Sequence, residues 1–588
     1  MLKPIYTIDQ IANFLISTYW MSIFGEHTGP EQPHHFATNT ITYNISTLTP
    51  QGQLFARAAL QAWSDVCNVT FVEVSGTAQI KFTDDQPGAF SGYTATNGVT
   101  TSAYVNVSKA EFTDTIFGSP TFNAFLHEIG HTLGLGHAGP YAGLSSYSAD
   151  TAGGGNNIYL NDTQAYSVMS YFGGGEFDSS NRQGSTPRIA DIAAVTLLYG
   201  TAHSTRIGNT VYGFDCNAGV LYDFTQYALQ YSNYFTGPPS LTIYDSGGND
   251  TLNCSGYSID QKIDLTPGSF LSVGGLLNNI SIDLHTVIEN VIGGAGNDQI
   301  KGNAYANVAT GGLGDDTIDG GTGVDVAVFS GTRANYTITT IAPTKYEVSG
   351  PDGHDTLLNI DRLRFSDQFV DVTPLGQAST AYSGVLRATL PDANANSIEA
   401  VIGTAQLSLA SYVSQLIEQA KDSTIPALIV SQFIEGATPT SARLDALAAF
   451  CVVQHAYYTQ MGVGNPDLGP YEALGMGFAE TSQFAQMFGT LNDTAFITTN
   501  YSDAFGRAPT MAQISHFQRQ IDYFSNLYTG VGIATDIAHV RAKGAALGQM
   551  LGFAAEETEN DYVDAATGFL LDASDGTVVY GTSLMQWV

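Results

Sequence analysis

The sequence predicts a multidomain chain with three parts: a mixed α+β domain over residues 1–203, a parallel β-roll over 204–375, and an all-α domain over 376–588. Three observations carry this expectation. Residues 125–137 read Phe-Leu-His-Glu-Ile-Gly-His-Thr-Leu-Gly-Leu-Gly-His, with histidines at helical and turn spacing. Residues 293–328 repeat every nine positions, each unit opening on glycine. From about residue 408 onward, apolar residues recur at three- and four-residue spacing in Ala-rich segments broken by Gly, Asn or Pro.

In the first part, the apolar run Ile11–Phe24 reads as a core helix. It lacks a basic leader and a small-residue cleavage site, so it is not expected to be a signal peptide, and at fourteen residues it is too short to span a bilayer. Thr40–Asn44 alternates as a strand, Gln51–Val66 has helical periodicity, and 70–74 and 79–82 read as short strands. Val99–Val107 reads as a further strand. Ser119 suits an N-cap and Pro120 the first helical position, which predicts a helix of about fifteen residues through Leu133.

That helix carries the chemistry. His127 and His131 lie one turn apart on one face, close enough for both imidazoles to reach one ion. Glu128 stands beside them, suited to hold and deprotonate a water on that ion. Gly134 permits a reversal through positive φ that returns His137 as a third ligand. The spacing H-E-x-x-H-x-x-G-x-x-H is that of a Zn2+ site with its own general base.

The long motif, with Ser167-Val168-Met169-Ser170-Tyr171 after it, resembles the metzincin metalloproteases and specifically the serralysins. Tyr6–Gln10 and the stretch Asp191–Gly200 are similar to that family too, whereas Ala138 departs from its usual Pro. The resemblance implies a zinc endopeptidase in which Glu128 assists attack of a zinc-bound water on peptide bonds. It further implies that Met169 lies under the metal, that Tyr171 ligates zinc or stabilises the oxyanion, and that Val99–Val107 is an edge strand that pairs with an extended peptide substrate. The Gly-rich loop at 153–157 is expected to shape the cleft wall. Gly173–Gly175 is expected to let Tyr171 swing.

The second part is built on G-G-x-G-x-D-x-U-x units, the Ca2+ repeat named RTX. Each has a glycine turn whose carbonyls face a hard cation, an Asp that supplies charge, and a short strand with one apolar residue for the core. The expected calcium residues are Gly293, Gly296 and Asp298, then Gly311, Gly314 and Asp316, then Gly320, Gly323 and Asp325, with Asp250 from an outlying copy at 245–252. Turns alternate sides, so Asp298 and Asp316 belong to neighbouring turns. The unit from Gly302 has lost the pattern, with Ala304 and Asn307 at its key places, and a weaker or missing site is expected there. The run 204–375 resembles the β-roll of serralysins, which implies type I secretion and folding in extracellular calcium.

The third part resembles a helical module of large secreted bacterial proteins and the anchoring domain of calcium-dependent S-layer proteins, which holds cell-surface polysaccharide. An anchored, S-layer-associated protease is one expectation; a surface-layer or adhesion protein with a silent protease fold is the alternative. Tyr457, Tyr458, Tyr523 and Tyr528 suit either sugar stacking or a helical core.

Composition agrees with this division. Hydrophobic content of 43% supports real cores, and 20 Lys+Arg against 54 Asp+Glu give a formal charge of -34. Nucleic acid and anionic membranes are excluded as partners by that balance, and divalent cations are favoured. Cys67, Cys216, Cys254 and Cys451 fit neither a C-x-x-C site nor a disulfide scaffold, and are read as mostly free with room for one bridge.

Overall fold

The computed structural model describes residues 2–20, 33–112, 116–173, 183–228, 237–402, 407–435, 437–461, 465–505, 507–556 and 561–574. They fall into two compact units, Met1–Val370 and Asp371–Val588.

The first unit begins with a helix, Ile8–Asn13, closed by a capping box between Thr7 and Gln10. It continues as a π-turn, Phe14–Thr18. Within it the Ser17 hydroxyl donates to the Asn13 carbonyl at 2.7 Å. The rest of the expected helix, from 21 to 24, lies outside the described residues. Pro50–Val66 is capped by Thr49 and buries a stripe that includes Phe55, Ala59 and Trp63. Trp63 Nε1 donates to the Leu126 carbonyl at 3.1 Å, fixing this helix on Pro120–Thr132.

Beside these helices lies a mixed sheet. His35–Phe36, Thr40–Asn44, Thr70–Glu73, Ile80–Thr83 and Val99–Val107 run parallel. Ala89–Thr96 runs antiparallel to Val99–Val107 along its whole length. Val99–Val107 is therefore flanked on both sides and is not the edge strand expected from sequence. Asn97 and Gly98 explain the difference: both adopt positive φ, 52° and 76°, and fold the chain back as a tight hairpin.

From Val211 onward the unit becomes three sheets of short strands, a small one of 241–243, 270–271 and 280–282 and two larger ones. One of the larger two holds 211–213, 251–253, 290–292, 308–310, 326–328, 362–364 and 369–371; the other holds 262–264, 299–301, 317–319, 353–358, 345–350 and 337–342. The nine-residue units alternate between them in parallel register, with Val291 beside Ala309 and Ile300 beside Ile318. Each three-residue strand of the repeat buries its middle residue: Val291, Ile300, Ala309, Ile318 and Ala327 are at most 4% exposed. Arg206 joins the two parts of the unit. Its guanidinium pairs with Asp65 of the Pro50–Val66 helix and sits 4.5 Å over the Tyr222 ring.

The second unit is helical, as its periodicity predicts, but with more breaks. The apolar periodicity over 471–487 belongs to two helices, Gly469–Ala479 and Ser482–Phe488, because the Thr481 side chain caps the second. Helices at Pro374–Leu386, Asp392–Ile402, Thr424–Glu435 and Asp561–Ser574 add to those read from sequence. Gly469–Ala479 meets Thr535–Ala555 backbone to backbone. A Cβ at Gly475 would lie 2.2 Å from the Gly544 carbonyl, so only glycine permits this approach. Tyr458 and Tyr528 are part-buried, donating to Glu472 Oε2 at 2.9 Å and Met476 Sδ at 2.5 Å, while Tyr457 and Tyr523 are exposed. All four cysteines are free. Among the described residues, no helix is long and apolar enough to cross a membrane.

Candidate active site

Pro120–Thr132 starts where Ser119 accepts from the Phe122 amide and ends where Gly134, at φ 107°, turns the chain back. A Cβ at Gly134 would fall 2.0 Å from the His34 carbonyl, so the reversal needs glycine for space as well as for φ. This geometry brings His127, His131 and His137 together. The Nε2 atoms of His127 and His137 are 3.3 Å apart, and those of His131 and His137 are 3.2 Å apart. Those separations match the edge of a tetrahedron with metal–nitrogen bonds of about 2.0–2.1 Å.

The tautomers follow from the neighbours. His127 Nδ1 faces the Val168 carbonyl at 2.9 Å, His131 Nδ1 the Leu135 carbonyl at 2.7 Å, and His137 Nδ1 the Tyr141 carbonyl at 2.7 Å. A carbonyl only accepts, so each Nδ1 carries the proton and each Nε2 offers a lone pair to the common centre. Burial, with the charge of His127, depresses the His137 pKa to about 3, and burial holds His131 well below its ordinary value. Both are neutral at physiological pH, the form a metal requires. The donor set therefore fits zinc.

Glu128 is 7% exposed, and Ser91 of the edge strand donates to its Oε2 at 2.7 Å. Met169 is fully buried beneath the helix: a Cβ at Gly130 would lie 2.7 Å from its sulfur, which explains glycine within the motif. The turn carrying Met169 is held by Asp191, whose carboxylate accepts from the Ser167 hydroxyl at 2.6 Å and the Val168 amide at 2.8 Å. The Tyr171 ring lies 4.5 Å from the His137 ring and 5.8 Å from that of His127, centroid to centroid. Gly173 is described; Gly174 and Gly175 lie outside the described residues. The loop at 153–157 is stitched to the N-terminal segment, with Lys3 Nζ donating to the Asn157 carbonyl at 2.5 Å. A cavity of about 340 Å³ beside the imidazoles is lined by Tyr19, Trp20, Ser91, Tyr93, Tyr104 and His131 among others.

Sequence reasoning missed Ser91, Tyr141 and Asp162 around this centre. The hairpin signal Asn97–Gly98 would have located the strand that carries Ser91. The other two act through tertiary hydrogen bonds that no periodicity reveals.

The aspartates of the strand stack form two columns. In one, the Gln261 amide donates to Asp298 Oδ1 at 2.7 Å, the Asp298 amide to Asp316 Oδ1 at 2.8 Å, and the Asp316 amide to Asp355 Oδ1 at 2.9 Å. In the other, the Thr210 amide donates to Asp250 at 2.7 Å, the Asn307 amide to Asp325 at 2.8 Å, and the Asp325 amide to Asp361 at 3.0 Å. Asp355 and Asp361, which the nine-residue frame did not reach, extend these columns. The glycine turns lie against the carboxylates: a Cβ at Gly311 would meet Asp316 Oδ2 at 2.1 Å, and one at Gly293 or Gly320 would meet Asp298 or Asp325 Oδ2 at 2.6 Å. Gly314 and Gly323 turn through φ 116° and 117°, while a Cβ at Gly296 would strike the Ile259–Asp260 backbone at 2.5 Å. Asp250 Oδ2 and Asp316 Oδ2 are buried and accept from no donor among the described residues. Burial, with neighbouring carboxylates, pushes both pKa values up to about 7. Orphaned, repelling carboxylate oxygens beside carbonyl-lined turns fit a hard divalent cation. At the degenerate unit, Asn307 Nδ2 instead donates to the Ile288 and Glu289 carbonyls, at 3.4 and 3.1 Å.

Three imidazoles pinned around one point, on a helix and the turn that follows it, define the class as proteins with a three-histidine metal centre. Comparison with known proteins narrows it. Residues 201–387 match the family model described as Peptidase M10 serralysin C terminal. The chain is 36% identical over 343 residues to Metalloprotease AprA of Pseudomonas entomophila (strain L48), covering 52% of this chain and 66% of that protein. It is 36% identical over 340 residues to Metallopeptidase AprA of Pseudomonas marginalis, covering 52% and 67%. Serralysin G of Dickeya chrysanthemi is 34% identical over 341 residues, covering 52% and 66%. The chain belongs to the serralysin-type metalloprotease family, and it spans about two thirds of the length of these relatives.

Proposed function

We propose that the chain is a secreted, calcium-dependent zinc endopeptidase that cleaves proteins or peptides. The observation that carries this reading is the triad of Nε2 atoms 3.2–3.3 Å apart with a buried carboxylate beside it. His127, His131 and His137 would hold zinc, which would supply Lewis acidity toward a water and a peptide carbonyl. Glu128 takes the proton from that water and returns it to the leaving amine nitrogen. Ser91 orients Glu128 for both transfers through the 2.7 Å hydrogen bond. The Tyr171 hydroxyl donates to the oxyanion that develops on the carbonyl oxygen. Ala89–Thr96, the strand at this end of the sheet, offers its outer backbone groups to an extended peptide, a mode that selects shape more than side chains.

Calcium enters through the columns. The orphaned oxygens of Asp250 and Asp316 support ions at the turns of Asp298, Asp316 and Asp250, and we extend the assignment to Asp325. The same columns support an RTX β-roll that folds in extracellular calcium after type I export. The helical unit is assigned to attachment at the cell surface, through polysaccharide or an S-layer, on the likeness of its helices to such anchors. Equal adhesion to cells with and without residues 371–588 would sink that assignment.

The test of the peptidase is a comparison of wild type with Glu128→Ala, both loaded with zinc and calcium, on an unfolded protein substrate. Cleavage by wild type alone is expected. Inactivity of both proteins with zinc bound overturns the reading.

A further inference from the structure

Tyr141 joins two parts of the centre that the motif leaves separate. It follows His137 by four residues and is 2% exposed. Its carbonyl accepts from His137 Nδ1 at 2.7 Å, so its backbone orients the third imidazole. Its hydroxyl faces the other way along the site. There it donates to Asp162 Oδ1 at 2.9 Å and lies 3.4 Å from the Tyr171 amide, whose N–H points at the same oxygen. Asp162 Oδ1 also accepts from the Ser170 hydroxyl at 2.7 Å, one residue before Tyr171. The rings follow the same path. Tyr141 stacks 5.5 Å from His137 at an interplanar angle of 26° and lies 4.9 Å from the Tyr171 ring.

Resting on the peptidase reading, we propose that Tyr141 and Asp162 are positioning residues that set where Tyr171 stands relative to the metal centre. The physical case is geometric. A backbone carbonyl is enough to orient His137, and any residue at 141 supplies one. A buried hydroxyl with a carboxylate acceptor fixes something beyond His137, and its other neighbours, the Ser170 hydroxyl and the Tyr171 amide, belong to the segment that carries Tyr171. Asp162 is fully buried, and its Oδ1 takes both the Tyr141 and the Ser170 hydroxyl, so one atom ties the turn after His137 to the segment carrying Tyr171. Tyr171 itself is 42% exposed, and the rings it meets are those of His127, His137 and Tyr141. A displacement of about 1 Å at such a group costs on the order of 100-fold in rate.

The experiment is a double-mutant cycle on the full chain loaded with zinc and calcium. Tyr141→Phe keeps the ring and the carbonyl and removes only the hydroxyl. It is expected to retain zinc against a chelator as wild type does and to lower kcat by about 10–100-fold. In a Tyr171→Phe background the same substitution is expected to cost less than about 3-fold, because the group it positions is gone. Asp162→Ala should behave as Tyr141→Phe, and Asp162→Asn, which keeps the Oδ1 acceptor, should recover most of the rate. An equal fall in both backgrounds, or an unchanged kcat, overturns the proposal. A crystal structure of Tyr141→Phe reads the same point without catalysis. Displacement of the Tyr171 ring with three unmoved imidazoles upholds the proposal, and an unmoved Tyr171 refutes it. Inactive wild type in the same assay would refute the peptidase reading alone.

Discussion

The histidine centre and the aspartate columns both fit metal ions, but they differ in what the ion is needed for. Burial keeps His131 and His137 well below their ordinary pKa, and each of the three imidazoles is oriented by a backbone carbonyl. Bringing them together costs little electrostatically. The columns gather carboxylates whose pKa values are pushed up by burial and by one another, to about 7 at Asp250 and Asp316 and about 6 at Asp355. Their short strands bury one residue each, so the sheets have little core with which to offset that repulsion. Zinc should then matter to chemistry and calcium to folding.

Selective chelation is the strongest way to break this comparison. Each calcium site saturated at 100 times its dissociation constant stabilises the fold by about 2.7 kcal/mol. Two such sites correspond to a fall in Tm of about 10–20 °C on calcium removal for a part of this size. Removing zinc alone is expected to abolish cleavage and shift Tm by only a few degrees. Calorimetry with a calcium-selective and a zinc-selective chelator checks both halves, and equal shifts would erase the distinction.

Within the histidine centre, on the proposed mechanism, Tyr171→Phe removes one donor to the oxyanion and leaves the imidazoles in place. A loss of about 2.7–4 kcal/mol in the barrier is expected, or roughly 100- to 1000-fold in kcat, with zinc retention unchanged. Full activity in the variant would move the oxyanion donor elsewhere. A smaller effect separates buried charge from metal binding. Burial pushes the Asp162 carboxyl up to about 7, against an ordinary value of 3.8. The folded state thus holds a proton that the unfolded chain releases, and wild type loses stability from this group as pH rises from about 4 through 7. Asp162→Asn does not titrate, so its stability advantage should grow from pH 5 to pH 8, reaching on the order of a few kcal/mol. Thermal melts at the two pH values measure it, and a constant difference would mean that the carboxylate is solvated.

The two regions were not equally legible in the sequence. Five fixed positions within eleven residues specify the histidine centre, since helix geometry converts that spacing directly into proximity. The nine-residue frame likewise indicates which aspartates share a column. It fails beyond Asp325, because the antiparallel strands Thr337–Ala342 and Lys345–Gly350 intervene before Asp355. The edge strand was misassigned although Asn97–Gly98 marked it, and the break at Thr481 was hidden in a continuous apolar pattern. Tyr141, Asp162 and Ser91 leave no periodic trace, because each acts through hydrogen bonds formed only in the folded chain.

The finest test uses the place where one column replaces charge with an amide. Asn303 Nδ2 donates to the Ile288 carbonyl at 2.9 Å, and Asn307 Nδ2 to the Glu289 carbonyl at 3.1 Å, so N–H groups meet oxygens that elsewhere would face a cation. Asn307→Asp removes the donor and adds a charge beneath Asp325. Without calcium the variant should be less stable than wild type by about 1–3 kcal/mol, the cost of leaving buried polar groups unpaired. With calcium the deficit should vanish and the number of bound ions should rise by one, because the turn then has both the carbonyls and the carboxylate a hard cation needs. Parallel denaturant titrations with and without calcium decide it. A deficit that persists in saturating calcium would mean that the turn lacks the geometry of a site, and that charge alone does not separate the columns from the rest of the fold.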